Sequence, residues 1–366
     1  MDVDRLIRTM LENDASDLHL KVGSPPVVRL HGELAPVQDV PPLSREEMDA
    51  TLGELLTEEQ VGELADAREL DCAVGIPRLG RFRVNVAYQR GTPTVAIRSI
   101  PITIQSIEGL NLPLVIGDLA LEPRGLVLVT GITGSGKTTT LASMIEHLNQ
   151  RQRTKIVTIE DPIEFLFRDN RAFISQREVG SDTRSYANAL RHVLRQDPDV
   201  IMIGEIRDTE TMDIAIKAAN TGHLVFATLH TTNAVQTIQR ILTFFPTHQH
   251  DEVRSLLAEN LKGVVSLRLI QEADGRGRVP ATEVMVSTEA IRDYLHTPGS
   301  LDQIAELIGE GGTQYGMHSF DQSLMRLLRE GKITEEAALE NATNRSEFEL
   351  KLRGIEGTSE RMWGTA

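Results

Sequence analysis

The chain has 366 residues, and at roughly 100 to 200 residues per domain we expect it to divide into two domains. Hydrophobic residues make up 40% of the chain and aromatic residues only 4%, which is typical of a soluble globular protein with aliphatic cores. The formal net charge of −15 disfavours general binding to nucleic acid or to an anionic membrane, because both are bound mainly through clustered Lys and Arg.

Cysteine content and hydropathy disfavour further classes of protein. The single cysteine, Cys72, cannot form an internal disulfide or a cysteine-rich zinc site, which fits a reducing cytosol. No apolar stretch approaches the ~18 residues of a membrane span, and the first residues lack the basic-then-apolar order of a signal peptide. We therefore expect a cytoplasmic protein.

The first part of the chain, residues 1–98, is predicted to form a small α+β domain. Residues 2–14 carry apolar side chains at helical spacing, whereas residues 82–88 alternate apolar and polar side chains as a strand does. Helices are expected to begin at Ser44 and Thr57, because each precedes a Glu or Gln by three residues, the spacing of a capping box.

Two glycines, two prolines and weak periodicity predict a linker at residues 99–120, followed by a second domain over 121–366. From residue 125 to 229, strand-like and helix-like patterns alternate, which predicts an α/β fold with a mostly parallel sheet and helices on both faces. Ligands of such sheets bind at the carboxyl ends of the strands. Past residue 250 we expect mostly helices.

A phosphate-binding loop is the clearest motif. Residues 131–138, GITGSGKT, match G-x-x-x-x-G-K-[S/T] between a strand pattern and a helix pattern, which disfavours a chance glycine turn. Glycines let backbone N–H groups face one anion, Lys137 reaches the terminal phosphates, and the Thr138 hydroxyl binds Mg²⁺. The residues predicted to contact the nucleotide are Thr133, Gly134, Ser135, Gly136, Lys137, Thr138 and Thr139.

Two acids near strand ends are candidates for hydrolysis. Glu205 follows an apolar strand almost directly, and we expect its carboxylate to lie opposite Thr138 and meet the metal. Glu164 lies beyond another strand end, after a proline, where it would act on the attacking water. Gly204 is expected to let the backbone approach the nucleotide. The alternative for each acid is a solvated loop charge.

Two histidines that flank one strand are further candidates for the site. His223 and His230 are seven residues apart, so a regular strand puts them on opposite faces and disfavours a shared metal site. His230, at the carboxyl end, is placed to sense the terminal phosphate; the alternative is a hydrogen-bonded structural histidine.

Charge that develops on a transferred phosphoryl group calls for an arginine, often from a neighbouring subunit. Arg81, Arg83 and Arg98 lie on the hairpin that ends the first domain, whereas Arg195 and Arg207 flank a strand of the second. Each of the five has the alternative of an ordinary surface charge or ion pair.

Four ordered motifs resemble those of the secretion-superfamily ATPases, which drive type II secretion and type IV pili. The Walker A, Asp-box, Walker B and His-box motifs read here GITGSGKTTT, TIEDPIEF, DPDVIMIGEIRD and TGHLVFATLHTT. The segments ASDLHLKVGSPPVVRLHGEL, RFRVNVAYQRG and FDQSLMRLLREGKITEEAALENA resemble the pilus-retraction branch of that family in particular. The resemblance covers nearly the whole chain.

The resemblance implies a RecA-like ATPase domain preceded by a PAS-like domain, in a homohexamer that uses ATP and Mg²⁺. It implies that Glu164 is the catalytic base, that Glu205 is the Walker B acid, and that His223 and His230 are the His-box residues. Arg83 and Arg98 resemble arginines of the family that reach the nucleotide.

In that family, ATP hydrolysis drives domain rotation that depolymerises a pilus at an inner-membrane platform protein. The resemblance thus implies a peripheral protein of the cytoplasmic face of the inner membrane that does not bind nucleic acid. One departure lies at residues 290–298, AIRDYLHTP, where the family often has a short basic helix that retraction needs.

Three alternatives remain open at this point. A pilus-extension or secretion ATPase usually has a longer N-terminus and a four-cysteine zinc site, which one cysteine cannot build. A nucleic-acid-translocating motor with the same core is disfavoured by the acidic composition and the lack of a basic-aromatic stripe. A nucleotide-binding regulator that hydrolyses little would differ from a motor in its steady-state turnover.

Overall fold

The computed structural model describes residues 3–30, 32–101 and 103–354, so the ends of both predicted domains, residues 1–2 and 355–366, lie outside the described residues. Its contacts divide the chain into two units. The N-terminal unit comprises residues 1–103 and 162–166, and the second unit comprises residues 104–161 and 167–366.

The N-terminal unit is an α+β unit built on an antiparallel sheet. Its described elements are α1 (Val3–Glu12), β1 (Asp17–Lys21), β2 (Val27–Leu30), β3 (Glu33–Pro36), α2 (Arg45–Leu55), α3 (Glu58–Ala67), β4 (Glu69–Ile76), β5 (Gly80–Gln89) and β6 (Thr92–Ser99). The strand order is β3-β2-β1-β6-β5-β4, with every pair antiparallel. The helix, hairpin and α+β character predicted for this region are confirmed.

Local sequence explains where these helices begin. Ser44 and Thr57 each accept a backbone N–H from the residue three positions on, and that residue's side chain accepts the N–H of the cap in return. Both predicted capping boxes are therefore confirmed, and each satisfies two N–H groups that a helix start leaves without partners. The apolar face of α1 is buried in the aliphatic core of the unit.

The second unit contains a seven-stranded, mostly parallel sheet. Its elements up to residue 260 are α4 (Val115–Ala120), β7 (Gly125–Thr130), α5 (Lys137–Asn149), β8 (Lys155–Glu160), β9 (Phe173–Glu178), α6 (Tyr186–Val193), β10 (Val200–Ile203), α7 (Thr209–Asn220), β11 (Leu224–Leu229), α8 (Ala234–Thr243), a 3-10 turn (Thr247–Gln249) and α9 (His250–Asn260). The later elements are β12 (Leu261–Gln271), β13 (Arg278–Val286), α10 (Glu289–His296), α11 (Asp302–Glu310), α12 (Gly312–Tyr315), α13 (Phe320–Arg329), α14 (Glu335–Asn341) and α15 (Arg345–Leu352).

The strand order of this sheet is β13-β12-β7-β11-β10-β8-β9, and only the β12–β13 pair is antiparallel among its described strands. Every residue of β7, β10 and β11 is buried, because helices cover both faces of the sheet. Strands buried on both faces read as continuous apolar runs, which is how the sequence presents them. The predicted α/β class with a mostly parallel sheet is confirmed.

Two regions differ from the expectation. The long hairpin β12–β13 lies where mostly helices were expected: its strands extend the sheet beyond β7, and part of its apolar surface is buried against the C-terminal helices. Residues 104–120 belong to the second unit, and Ile107 and Ile116 are buried in its core, so this stretch packs as part of the unit. Among the helices of the described ranges, none combines the length and apolar character needed to cross a bilayer.

A buried carboxylate ties β1 to its neighbour β6. The Asp17 side chain is 7% exposed, and its Oδ1 accepts a hydrogen bond from Nε of Arg98 at 2.8 Å. Burial raises the pKa of this carboxyl, but the hydrogen bonds from Arg98 and Ser16 outweigh burial, so the pKa lies below the ordinary 3.8. The ionised form is therefore the one that the folded unit stabilises.

Asp17→Asn is expected to reduce the unfolding free energy by about 1 to 2 kcal/mol at pH 7, because a charge-assisted hydrogen bond is lost. The difference from wild type should vanish as the pH falls through the lowered pKa, since the wild-type carboxylate is then protonated too. Asp71→Asn is the matched control: the Asp71–Arg83 pair lies on the same sheet, but its side chains are 47% and 44% exposed. Urea unfolding followed by circular dichroism from pH 2.5 to 7 measures both, and equal losses contradict the account.

Candidate active site

The carboxyl ends of four neighbouring parallel strands meet at one edge of the sheet. Thr130, the last residue of β7, pairs with Leu229, the last of β11, and Ile203 of β10 pairs with Ile159 of β8. The segments that follow these strands, which carry the phosphate loop and the residues 160–161, 204–205 and 230, therefore begin at the same edge. This is the edge at which sheets of this kind bind ligands.

The phosphate loop needs glycine at its first position. Gly131 has φ of +147°, and a Cβ there would lie 2.3 Å from Oγ of Ser135 and 2.7 Å from the carbonyl oxygen of Leu267. No other residue fits without moving the backbone of β12. The loop ends at Gly136, which directly precedes the first residue of α5 and has a positive φ of 95°.

Inside the loop, Lys137 is buried and its Nζ donates to the carbonyl oxygens of Gly131 and Ile132 at 2.8 and 2.9 Å. Oγ of Ser135 is also buried and has no hydrogen-bond partner among the described residues. A buried hydroxyl without a partner is costly, and here it lies at the N-terminus of a 13-residue helix, where anions bind favourably. These groups fit the phosphates of a nucleotide.

Glu205, two residues past the end of β10, is held between two basic side chains. Its Oε1 lies 3.1 Å from Nε2 of His230, and its Oε2 accepts a hydrogen bond from Arg207 at 2.7 Å. Burial raises the pKa of Glu205, but the Arg207 hydrogen bond and the charges of His230, Arg207 and Lys137 outweigh burial, so the pKa lies below its ordinary value. The carboxylate is thus ionised and oriented at neutral pH.

Gly204 is closely packed against two neighbouring elements. A Cβ on Gly204 would lie 3.0 Å from Oη of Tyr186 and 3.2 Å from the carbonyl oxygen of Ile159 in β8. The glycine therefore leaves room for the Tyr186 hydroxyl and the neighbouring strand, and its role in admitting the nucleotide stays a prediction. Burial raises the pKa of Tyr186 well above its ordinary value, and the nearby charges of Asp161 and Glu205 raise it further.

The side chains proposed as metal ligands offer the oxygen atoms that Mg²⁺ prefers. Thr138 is half-buried in the first turn of α5 and offers a hydroxyl oxygen, and Glu205 offers an ionised carboxylate. Within residues 3–30, 32–101 and 103–354 no group of three or more His, Cys, Asp and Glu side chains could hold a metal ion alone. Mg²⁺ commonly takes one or two protein ligands together with phosphate oxygens, so the donors present fit that mode of binding.

His223 lies at the wrong edge for the phosphate loop of its own chain. Its carbonyl oxygen accepts the N–H of Gly125, the first residue of β7, and its Nδ1 lies 2.9 Å from the carbonyl oxygen of Ala218. The six residues of β11 lie between it and His230, and the seven steps from one histidine to the other span about 23 Å at ~3.3 Å per residue. The structure brings His230 to the site and leaves His223 at the amino end of the strand.

Glu164, Arg83 and Arg98 lie in the N-terminal unit. Glu164 belongs to the segment 162–166, whose backbone bonds to that unit through the N–H of Leu166 and the carbonyl oxygen of Pro101 at 3.2 Å. The guanidinium of Arg83 binds Asp71, and that of Arg98 binds Asp17. The roles of Glu164, Arg83 and Arg98 at the nucleotide stay predictions.

The sequence did not single out Arg207 and gave no indication of Tyr186. Arg207 was one of five candidate arginines, and its position two residues after Glu205 was the signal that could have selected it. Tyr186 begins helix α6, and no pattern in the sequence indicates that its hydroxyl lies against Gly204. Glu160, the last residue of β8, is buried and accepts hydrogen bonds from Thr158 and Gln176, which makes it a structural acid of the same edge.

A family model described as "Type II/IV secretion system protein" matches residues 105–353, which is more than half of the chain. The chain therefore belongs to the type II/IV secretion system protein family, and it is an ATPase with a RecA-like fold.

Individual relatives are similar over nearly their full length. The chain is 40% identical to the type IV pilus ATPase PilU of Pseudomonas aeruginosa, covering 96% of this chain and 92% of the relative. It is 41% identical to the type IV pilus retraction ATPase PilT of the same organism, covering 93% and 98%. A crystal structure of the pilus retraction motor PilT with bound ADP superposes with a TM-score of 0.88 at 42% identity, covering 95% of this chain and 99% of that one.

Gly204→Ala is expected to destabilise the second unit by about 1 to 3 kcal/mol, because the new methyl group overlaps the Tyr186 hydroxyl and the β8 backbone. Adding Tyr186→Phe should recover part of this loss, since the nearest atom is then gone. Gly309→Ala is the control: no atom lies within 4 Å of its Cβ, so the helix-favouring substitution should be neutral or stabilising. Thermal unfolding of wild type and the three variants measures these effects, and a neutral Gly204→Ala contradicts the packing.

Proposed function

We propose that this ATPase is the motor of type IV pilus retraction and acts as a homohexamer on the cytoplasmic face of the inner membrane. The observation that carries the proposal is the near full-length similarity to PilT, joined to a phosphate loop and a Glu205–His230 contact at one sheet edge. Its partner would be the inner-membrane platform protein of the pilus machine, and nucleic acid would not bind.

Nucleotide binding falls to the phosphate loop. Residues 133–139 present backbone N–H groups and hydroxyls to the phosphates of ATP, and the α5 N-terminus adds positive potential. Lys137, which now bonds two loop carbonyls, holds the loop in the shape that receives phosphate and supplies charge to its terminal groups. The buried Ser135 hydroxyl gains the partner that it lacks among the described residues.

Hydrolysis divides two tasks between two acids. Glu164 orients the attacking water and accepts its proton, because a free carboxylate is a suitable general base. Glu205 and Thr138 hold Mg²⁺, which when bound neutralises negative charge on the phosphate oxygens. His230 and Arg207 keep Glu205 ionised and fix its orientation before the nucleotide arrives.

Arg83 and Arg98 supply positive charge to the transition state, and each must leave its present carboxylate to do so. The exchange is feasible for the Arg83–Asp71 pair in particular, because exposed ion pairs contribute little to stability. Domain rotation between nucleotide states would make and break such contacts. His223, remote from its own phosphate loop, would contact nucleotide only from a neighbouring subunit.

A second candidate function is an accessory role beside another retraction motor. The chain is 40% identical to PilU and 41% identical to PilT, so sequence identity alone does not favour either relative. Steady-state ATP turnover and pilus retraction by the chain itself separate these two functions. A pilus-extension or secretion role is disfavoured because the similarity to PilT spans 98% of the length of PilT.

Glu164→Gln should bind ATP with affinity near that of wild type and reduce kcat by about 10² to 10⁴, because the general base is lost and the phosphate loop is intact. Lys137→Ala is the contrasting variant and should lose nucleotide affinity as well as turnover. Fluorescent-nucleotide titration and steady-state phosphate release measure the two quantities. Wild-type turnover in Glu164→Gln would move the role of base to another residue.

The same variants decide the cellular function when they replace the wild-type gene in a deletion strain. The deletion should abolish pilus retraction and leave surface pili in place, wild type should restore retraction, and Glu164→Gln should not. Loss of surface pili on deletion would instead assign the protein to extension. Full retraction in the deletion strain would leave only the accessory role.

A further inference from the structure

A row of three polar residues crosses the sheet at the base of the phosphate loop. Thr130 of β7 is the neighbour of Ser266 on β12, and Ser266 is the neighbour of Glu283 on β13. Oγ1 of Thr130 donates to Oγ of Ser266 at 2.9 Å, and both side chains are fully buried. Because Thr130 directly precedes Gly131, this polar row runs from the phosphate loop to Glu283.

Glu283 reaches the start of helix α8. Its Oε1 accepts the N–H of Ala234, the first residue of α8, at 2.8 Å. Burial, together with the charge of Asp321, raises the pKa of this carboxyl above its ordinary value, although the Ala234 N–H and the charge of Arg268 act in the opposite direction. A carboxylate at this place also meets the positive end of the helix dipole. The hydrogen bond joins residues 49 apart in sequence.

The turn that Glu283 holds, residues 230–233, also carries a residue of the active site. His230 begins the turn and lies 3.1 Å from Glu205. Thr232 lines a cavity of about 300 Å³ together with residues 131–135 of the phosphate loop. The turn is therefore attached at its beginning to Glu205 and at its end to Glu283.

Helix capping alone does not explain Glu283, because α8 already has a cap. The side chain of Asn233 accepts the N–H of Gln236 at 2.8 Å, as a cap residue does. Glu283 satisfies a different N–H, that of the first helical residue, from a strand of the sheet. Arg268, whose positive charge acts on Glu283, is itself held in place. Its guanidinium stacks on the ring of Phe320 at 3.8 Å and donates to the carbonyl oxygen of Asn341 at 2.7 Å.

We propose that Glu283 is a positioning residue for ATP hydrolysis. Its hydrogen bond to Ala234 fixes the turn 230–233, and thereby the place of the His230 imidazole beside Glu205. Thr130 bonds to Ser266 of β12 and Ala234 bonds to Glu283 of β13, so the residue before the phosphate loop and the turn 230–233 are both held by side chains of this hairpin. The proposal rests on the role of His230 in the proposed function.

The test compares turnover with nucleotide affinity. Glu283→Ala should reduce kcat about tenfold or more and change the Kd of ADP less than about threefold, because the phosphate loop keeps its own contacts. Glu283→Gln should keep kcat within about threefold, since its amide oxygen still accepts the Ala234 N–H. Thr288→Ala is the matched control: it removes the acceptor at the start of α10 and should leave kcat unchanged.

A double-mutant cycle separates positioning from a structural role. In the His230→Ala background, Glu283→Ala should reduce kcat less than about twofold, because its effect acts through His230. An equal loss in both backgrounds overturns the proposal, as does wild-type kcat in folded Glu283→Ala. Wild-type turnover in His230→Ala likewise overturns it, whereas the pilus function is judged separately by the deletion strain.

A second variant keeps the test decisive where Glu283→Ala does not fold. Ala234→Pro removes the N–H donor at the first helical position, which is a position that accepts proline. It should lower kcat about as much as Glu283→Ala and spare the Kd of ADP. Wild-type kcat in Ala234→Pro overturns the proposal.

Discussion

Parallel pairing of β7, β11, β10 and β8 is the constraint on which the rest of the site depends. These strands are buried on both faces, so their backbone groups must pair with each other, and their side chains are mostly apolar or hydrogen-bonded. Polar chemistry is thereby confined to the ends of the strands. Because the strands are parallel, all four carboxyl ends lie at one edge, and residues separated by up to a hundred positions in sequence become neighbours.

Electrostatics at this edge follow from the same confinement. Glu205 is drawn toward its ionised form by Arg207, His230 and Lys137, even though partial burial favours the neutral form. Tyr186 lies near the acids and is kept protonated by burial and by their negative charge. The edge therefore combines an ionised carboxylate with a neutral hydroxyl and a cationic lysine. Because this edge is partly shielded from solvent, fixed charges act more strongly on a phosphate there than they would in water.

The sequence predicted those features that depend on local pattern. The phosphate loop, the alternation of strands and helices and the capping boxes at Ser44 and Thr57 are all set by residues close together in the chain. The features that were missed are those for which the local pattern is ambiguous or silent. The hairpin β12–β13 was not recognised, because a run such as GVVSLRLI fits a buried helix as well as a strand.

Contacts between separate elements are the other features that the sequence did not supply. The sequence placed His223 and His230 at opposite ends of one strand, and the pairing of β11 with β7 adds that His230 lies at the same edge as the phosphate loop. For Gly204 the sequence suggested only the nucleotide, and the structure adds a close contact with Tyr186 on another element. The arginines of the first unit were chosen by type, and their pairing with Asp71 and Asp17 depends on which strands are adjacent.

The central claim is that Glu205, oriented by His230 and Arg207, is the metal-side acid of a site built on this edge. The most direct measurement is the affinity of Mn²⁺ for the ADP-loaded protein, followed by electron paramagnetic resonance in wild type and in Glu205→Gln. The account predicts that the variant binds Mn²⁺ at least about tenfold more weakly and binds metal-free ADP as wild type does. Equal Mn²⁺ affinities in the two proteins would contradict it.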